Sequence, residues 1–278
     1  MNSFYKSFLF LVFFMPFFSG AQIKLPAIIS DNMILQQNAK VALWGWAQPG
    51  EKVSITNTWN NKSISVTTAA SGKWLTYVNT IKAGGPYQLT FKASNSVGIK
   101  NILLGEVWLA SGQSNMEFFV GKTSSASYTG VINHDDVMKD AEHPDIRTID
   151  VPNKVADEPQ TDFKGEWKLC SARTVDSFSA VAYFFAKEIN KATGFPVGII
   201  NSTWGGTPAE SWTERQVLQS NAVLAQPCGG FVRLVPLKSH CGDACAVSSA
   251  RRRSVNSMGS VLATLNSIGN RAERVALG

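Results

Sequence analysis

The stretch ILLGEVWLASGQSN, residues 102–115, decides what fold the second half of this chain can adopt. Ile102–Ala110 is mostly apolar, the pattern of a strand covered on both faces, and it ends abruptly in small and polar residues. Ser114 then stands between Gln113 and Asn115. Ser114-Asn115-Met116-Glu117 fits a capping box, in which the Ser hydroxyl and Glu carboxylate satisfy a helix's first amides. The same residues admit a second reading, a nucleophile held at the end of a strand.

Further along, Phe178–Thr193 carries apolar residues at 178, 181, 182, 185, 189 and 192, which is helix spacing. That stripe reads as core. Gly194 stands where a helix stops. A strand is expected at Val197–Asn201, followed by STWGGTPAESW, residues 202–212. Strand, helix, strand and helix in this order predict a parallel α/β sheet. Residues 121–176, between the blocks, are polar and irregular, with one short strand expected at Ile146–Val151.

The second strand ends in another corner. Thr207-Pro208-Ala209-Glu210 fits the capping box, with Pro208 at the first helical position. Just before it, Gly205-Gly206 lets the backbone come close to a ligand, and amides beside a helix N-terminus suit negative charge. Ligands of open α/β sheets sit beyond the carboxyl ends of the strands, so both corners can face one crevice. A serine at one corner and an amide-rich turn at the other are what acyl transfer needs.

The N-terminal part reads differently. From Lys24 to about Lys100, short alternating runs (Val53 and Ile55; Ile64 and Val66; Tyr87, Leu89 and Phe91) are separated by turn signals. These include Pro49-Gly50, Asn60-Asn61, Ser71-Gly72 and Gly84-Gly85-Pro86. A small antiparallel sandwich is expected. Ahead of it, residues 1–21 show an early lysine, an apolar run from Phe8 to Phe18 and small residues Ser19, Gly20 and Ala21. That is the pattern of a signal peptide, which predicts a secreted or periplasmic protein with no stable membrane insertion after cleavage.

The net charge of +6 suggests a nucleic-acid partner only until it is located. Residues 1–228 hold 19 Lys and Arg against 18 Asp and Glu; residues 229–278 hold 7 against 2. The globular part is nearly neutral, so no nucleic acid is expected as partner. Three of the four cysteines, Cys228, Cys241 and Cys245, lie in or beside the basic tail, without a disulfide framework spacing.

The two corners also carry a resemblance. GEVWLASGQSNMEF (105–118) and FPVGIINSTWGGTPAESW (195–212) are similar to two signature blocks of the sialate O-acetylesterase family, within the SGNH/GDSL hydrolase group. LPAIISDNMILQQNAKVALWGWAQPGEKVSI (25–55) resembles that family's N-terminal β domain. The resemblance implies an SGNH-type, flavodoxin-like three-layer α/β/α domain, C-terminally incomplete, preceded by a small all-β sandwich-like domain. It implies hydrolysis of acetyl esters on an acetylated sugar or sialoglycan, with no metal or organic cofactor. Ser114 matches the nucleophile, and the backbone amides of Ser114 and Gly206 match the oxyanion donors. Gln113, Asn115, Trp204, Gly205 and Thr207 are the candidates for lining the substrate.

The expected organisation is a signal peptide at 1–21, a β domain at 22–100, a partial esterase domain at 101–226 and an atypical basic tail at 227–278. In the family a third block and a late Asp-x-x-His follow, supplying a further oxyanion donor and the base; neither stands in its expected place here. The tail is read as frameshifted or disordered sequence, and the chain as one whose activity is in question. The three histidines, His134, His143 in Asp140-Ala-Glu-His143, and His240, all read as surface residues rather than as the base. The rival reading is a catalytically dead carbohydrate-binding protein with Trp204 and Trp212 in a pocket. The oligomeric state is not legible in the sequence.

Overall fold

A computed structural model describes residues 22–123, 129–154 and 160–208, together with 212, 213, 217 and 220. The expected signal peptide and basic tail lie outside the described residues. Strands come first: β1 (Ile34–Gln36), β2 (Lys40–Trp46), β3 (Lys52–Asn57), β4 (Ser63–Thr67), β5 (Lys73–Asn79), β6 (Gly84–Lys92) and β7 (Ser96–Gly112). Then follow α1 (Ser114–Glu117), α2 (His134–Lys139), β8 (His143–Asp150), β9 (Lys168–Cys170), a 3-10 turn at Val175–Ser177, α3 (Ala180–Thr193) and β10 (Val197–Thr203). The fold is α/β, and among the described residues its main sheet has eight strands in the order β4-β3-β6-β7-β10-β8-β9, with β1 also paired to β7.

The alternation in the N-terminal part becomes two apposed faces. β2 and β5 form an antiparallel pair, and β3, β4, β6 and the first half of β7 form antiparallel ladders. Val41, Leu43, Trp74 and Val78 from the pair meet Val53, Ile55, Leu89, Phe91 and Ile102 from the larger sheet in one core. Each such side chain, fully buried, stabilises the fold by roughly 1.5–3 kcal/mol.

β7 is the backbone of the molecule. Its first half pairs antiparallel with β6 from Ser96 to Leu104, and β1 runs parallel to it from Leu103 to Gly105. Its second half, Glu106 to Gly112, pairs parallel with β10. The handover occurs at Gly105, where a Cβ would stand 2.0 Å from the Pro196 carbonyl oxygen, a space no other residue could share. Glu106 N–H donates to that same oxygen at 2.8 Å, which starts the parallel ladder. The strand expected over Ile102–Ala110 is therefore the middle of a 17-residue strand.

β10 lies between β7 and β8, parallel to both, as the strand–helix–strand order predicts. α3 begins at Ala180, two residues later than the periodicity suggested. Phe178 is held in extended conformation beside a bridge between Phe119 and Ser179, and the Ser179 hydroxyl caps the helix from Ala182 N–H at 3.3 Å. Gly194 ends α3 with φ of 68°, the left-handed stop. Alternate residues of the parallel strands face opposite cores. Ile149 and Ile200 join the β-sandwich core, whereas Ile146, Val197 and Ile199 pack with Tyr183 and Ala186 of α3. Within residues 121–176, α2 and β9 are elements the polar sequence did not announce.

One buried charge stitches these parts together. Arg147 on β8 is 3% exposed, and its guanidinium donates to the carbonyls of Asn32 (2.8 Å), Asn101 (2.6 Å) and Pro144 (3.0 Å). Burial lowers its pKa to about 10, far above physiological pH, so the group stays charged. Among the described residues no helix is long and apolar enough to cross a membrane.

Candidate active site

The parallel register brings the two corners side by side. Thr203 pairs with Gly112, so β10 and β7 leave the sheet at the same level and in the same direction. Trp204 N–H still donates to Gly112 O at 3.0 Å, holding the two exits together for one residue beyond the ladder. Beyond the carboxyl ends of such strands is where ligands of open α/β sheets sit.

Ser114 is the first residue of α1, not its cap. The N-cap is Gln113, whose side chain makes no capping bond, and the capping box expected at Ser114–Glu117 does not form. The physical reason is positional: a capping hydroxyl must precede the first helical residue, and Ser114 is already inside the helix. Its hydroxyl faces the other corner, where Gly206 N–H donates to Ser114 Oγ at 3.3 Å. Gln113, Ser114, Asn115 and Gly206 are all exposed, so the meeting point is open to solvent.

Glu117 does something the sequence did not suggest. Its Oε2 accepts Gly205 N–H across the gap at 2.7 Å, and its Oε1 stands 3.5 Å from Asn153 Nδ2. Gly206 has φ of 70°, a conformation that favours glycine, and its amide faces Ser114. Thr207 is buried, and its hydroxyl donates to Trp204 O at 2.7 Å and accepts from Trp212 Nε1 at 2.8 Å. Trp204 and Gly205 are half-buried. Ala209 and Glu210, and with them the second expected capping box, lie outside the described residues.

Beside the corners, the strand ends carry a second polar group that single-sequence reading passed over. Asp150 and Asn201 are register partners on β8 and β10, and Asn201 Nδ2 donates to Asp150 Oδ1 at 2.9 Å. Lys168 Nζ reaches Asp150 Oδ2 at 3.0 Å and Ser177 Oγ at 3.4 Å. Nothing local marked the two as partners: β8 reads HPDIRTID, and β10 continues past Asn201 to Thr203.

The histidines sit elsewhere. His143 opens β8, at the end of the sheet opposite to the Ser114 corner, with Nε2 3.7 Å from Asp140 Oδ1. Asp140 is itself ion-paired to Lys187, which holds its carboxyl below the usual range. His134 Nε2 lies 2.6 Å from Asp176 Oδ1, and that hydrogen bond raises its pKa. Among the described residues, no histidine or carboxylate hydrogen-bonds the Ser114 hydroxyl. His240 lies outside them. Nor does any group of three or more His, Cys, Asp or Glu side chains converge among the described residues as a metal site would require.

With this geometry in view, comparisons with known proteins are specific. Residues 104–226 match the family model of carbohydrate esterases described as sialic acid-specific acetylesterases. Sialate O-acetylesterase of Homo sapiens is 26% identical over 226 residues, covering 75% of this chain and 42% of that protein. The Rattus norvegicus protein of the same name is 27% identical over 223 residues, covering 74% and 40%. Among solved structures, a carbohydrate acetylesterase from Xanthomonas citri superposes with a TM-score of 0.65 at 33% identity, covering 72% of this chain and 44% of that one. The chain thus spans about two fifths of the length of the curated relatives it matches. The matched segment runs from Leu104 on β7 through both corners, and over it the chain is similar to the sialic acid-specific acetylesterases among the carbohydrate esterases.

Proposed function

We propose that this protein is an exported carbohydrate O-acetylesterase that removes acetyl groups from sialic acid or related sugars, with Ser114 as nucleophile. Ser114 Oγ attacks the acetyl carbonyl carbon and gives its proton to a general base. The carbonyl oxygen becomes an oxyanion held by the backbone amides of Ser114 and Gly206. Collapse of the tetrahedral intermediate breaks the ester bond, and the sugar oxygen leaves with a proton. Water then hydrolyses the acetyl-serine, releasing acetate and restoring the hydroxyl.

The observation that carries this reading is the bond from Gly206 N–H to Ser114 Oγ. An amide within 3.3 Å of the nucleophile stands on the side where a bound carbonyl oxygen would gather charge. The likeness to esterases of acetylated sugars supports the substrate class. Gln113 and Asn115, exposed beside Ser114, are the side chains best placed to touch the sugar. The base that a serine nucleophile requires is not among the described residues, so the chemistry needs a group from outside them.

A fluorophosphonate probe with peptide mapping tests the nucleophile directly. Labelling is expected at Ser114 and absent in Ser114→Ala, alongside loss of acetate release from an O-acetylated sialic acid. Equal labelling of the two proteins would overturn the assignment. An unlabelled protein that nevertheless binds acetylated sugar would instead support the binding-protein reading.

A further inference from the structure

We propose that Glu117 is a positioning residue that sets the oxyanion turn from across the site; the proposal rests on the reading of Ser114 and Gly206 given above. Two consecutive glycines have the widest conformational freedom a chain can have, and nothing intrinsic to Gly205-Gly206 points either amide in a given direction. The turn is therefore only as well aimed as its external ties. Trp204 N–H is tied to Gly112 O, and Thr207 is tied by its own hydroxyl to Trp204 O and by the Trp212 indole. The Thr207 hydroxyl holds the carbonyl side of the Trp204–Gly205 peptide, and none of these ties bonds the N–H of Gly205.

Glu117 reaches the gap. Its carboxylate accepts Gly205 N–H at 2.7 Å, a charge-assisted bond shorter than the 3.3 Å bond by which Gly206 reaches Ser114. Fixing the Gly205 amide fixes the plane of the preceding peptide. From that fixed plane only the two Gly205 torsions separate the next peptide, whose amide meets Ser114 Oγ at 3.3 Å. The second carboxylate oxygen, facing Asn153 Nδ2, gives Glu117 a further contact with the chain after β8. Glu117 N–H meanwhile donates to Gln113 O at 2.9 Å, so the residue that shapes the turn belongs to the same helical turn as the nucleophile. One residue thus references the donor to the nucleophile, and small movements of α1 carry both together.

The arrangement also divides labour between the glycines. Gly205 N–H is committed to Glu117, which leaves Gly206 N–H as the amide of this turn that meets the developing charge.

The test uses the full chain and two readouts: amide hydrogen exchange at Gly205 and Gly206, and the rate of fluorophosphonate labelling at Ser114. In Glu117→Ala, exchange at both glycines should rise at least about tenfold and labelling should slow by about tenfold or more. Glu117→Gln keeps an acceptor oxygen in place and should restore most of both. Unchanged exchange and labelling in Glu117→Ala would overturn the proposal. So would a Glu117→Gln protein as impaired as Glu117→Ala, with protection lost along β10, because that is the behaviour of a merely structural group. If exchange responds as stated while no form is labelled at Ser114, the positioning role stands and the nucleophile assignment falls.

Discussion

The seam around Arg147 and the corner around Ser114 are both places where distant segments meet through polar groups, and they are built oppositely. At the seam a buried guanidinium donates to the backbone carbonyls of Asn32, Asn101 and Pro144 at 2.6–3.0 Å. At the corner an exposed hydroxyl accepts one amide at 3.3 Å, and the turn that supplies it consists of glycines. A buried polar group that loses its partner costs its full desolvation, so the seam tolerates no alternative arrangement. Solvent can replace the amide at the exposed Ser114 hydroxyl, which leaves that contact adjustable. Strength lies away from the corner, and the corner itself is held by a few directed bonds.

The sharpest way to break this contrast is to remove Arg147. Arg147→Met should lower stability by about 3 kcal/mol or more, from carbonyls left buried without donors, as read by denaturant unfolding. A loss below about 1 kcal/mol would mean that water replaces the guanidinium and the seam is no stiffer than the corner. Next in size is Gly105→Ala, whose new methyl would press on the Pro196 carbonyl. Overpacking against backbone predicts a loss of roughly 1–3 kcal/mol, with exchange protection weakened first where β7 passes from β6 to β10. Both substitutions should leave the Ser114 labelling rate per folded molecule within about twofold if the regions are independent.

The smallest expected effect concerns the partly exposed His134–Asp176 contact. Its hydrogen bond raises the His134 pKa in the folded state, so the contact is fully present below the ordinary histidine value and is lost as pH rises through the raised one. An NMR titration should find the His134 pKa above the ordinary histidine value, falling toward it in Asp176→Asn. The melting temperature of the wild type should decline slightly more than that of the variant between mildly acidic and alkaline pH. Identical declines would remove any role for the contact in stability.

Much of the architecture was legible because it depends on near neighbours in the chain. The period of two in Val53 and Ile55, the apolar run before Ser114, and the helix closed by Gly194 all follow from local sterics and from burial of one face or both. The site was legible only halfway. Ser114 and Gly206 could be named from their motifs, but Ser-x-x-Glu is read locally as a capping box because that pattern usually is one. Glu117 instead found a donor 88 positions away. Asn201 and Asp150 carried no local mark of being partners.

Taken alone, the amino-acid order determined where most of the strands and the long helix form, which faces they bury and which two corners end in small and polar residues, since all of these arise from interactions within a few residues. The tertiary structure decided that β7 changes partners at Gly105, that Arg147 ties three backbone segments, and that Glu117 sets the turn facing Ser114. These depend on which strands become neighbours in register, and a hydrogen bond between segments has no signature in either segment until packing brings them within about 3 Å.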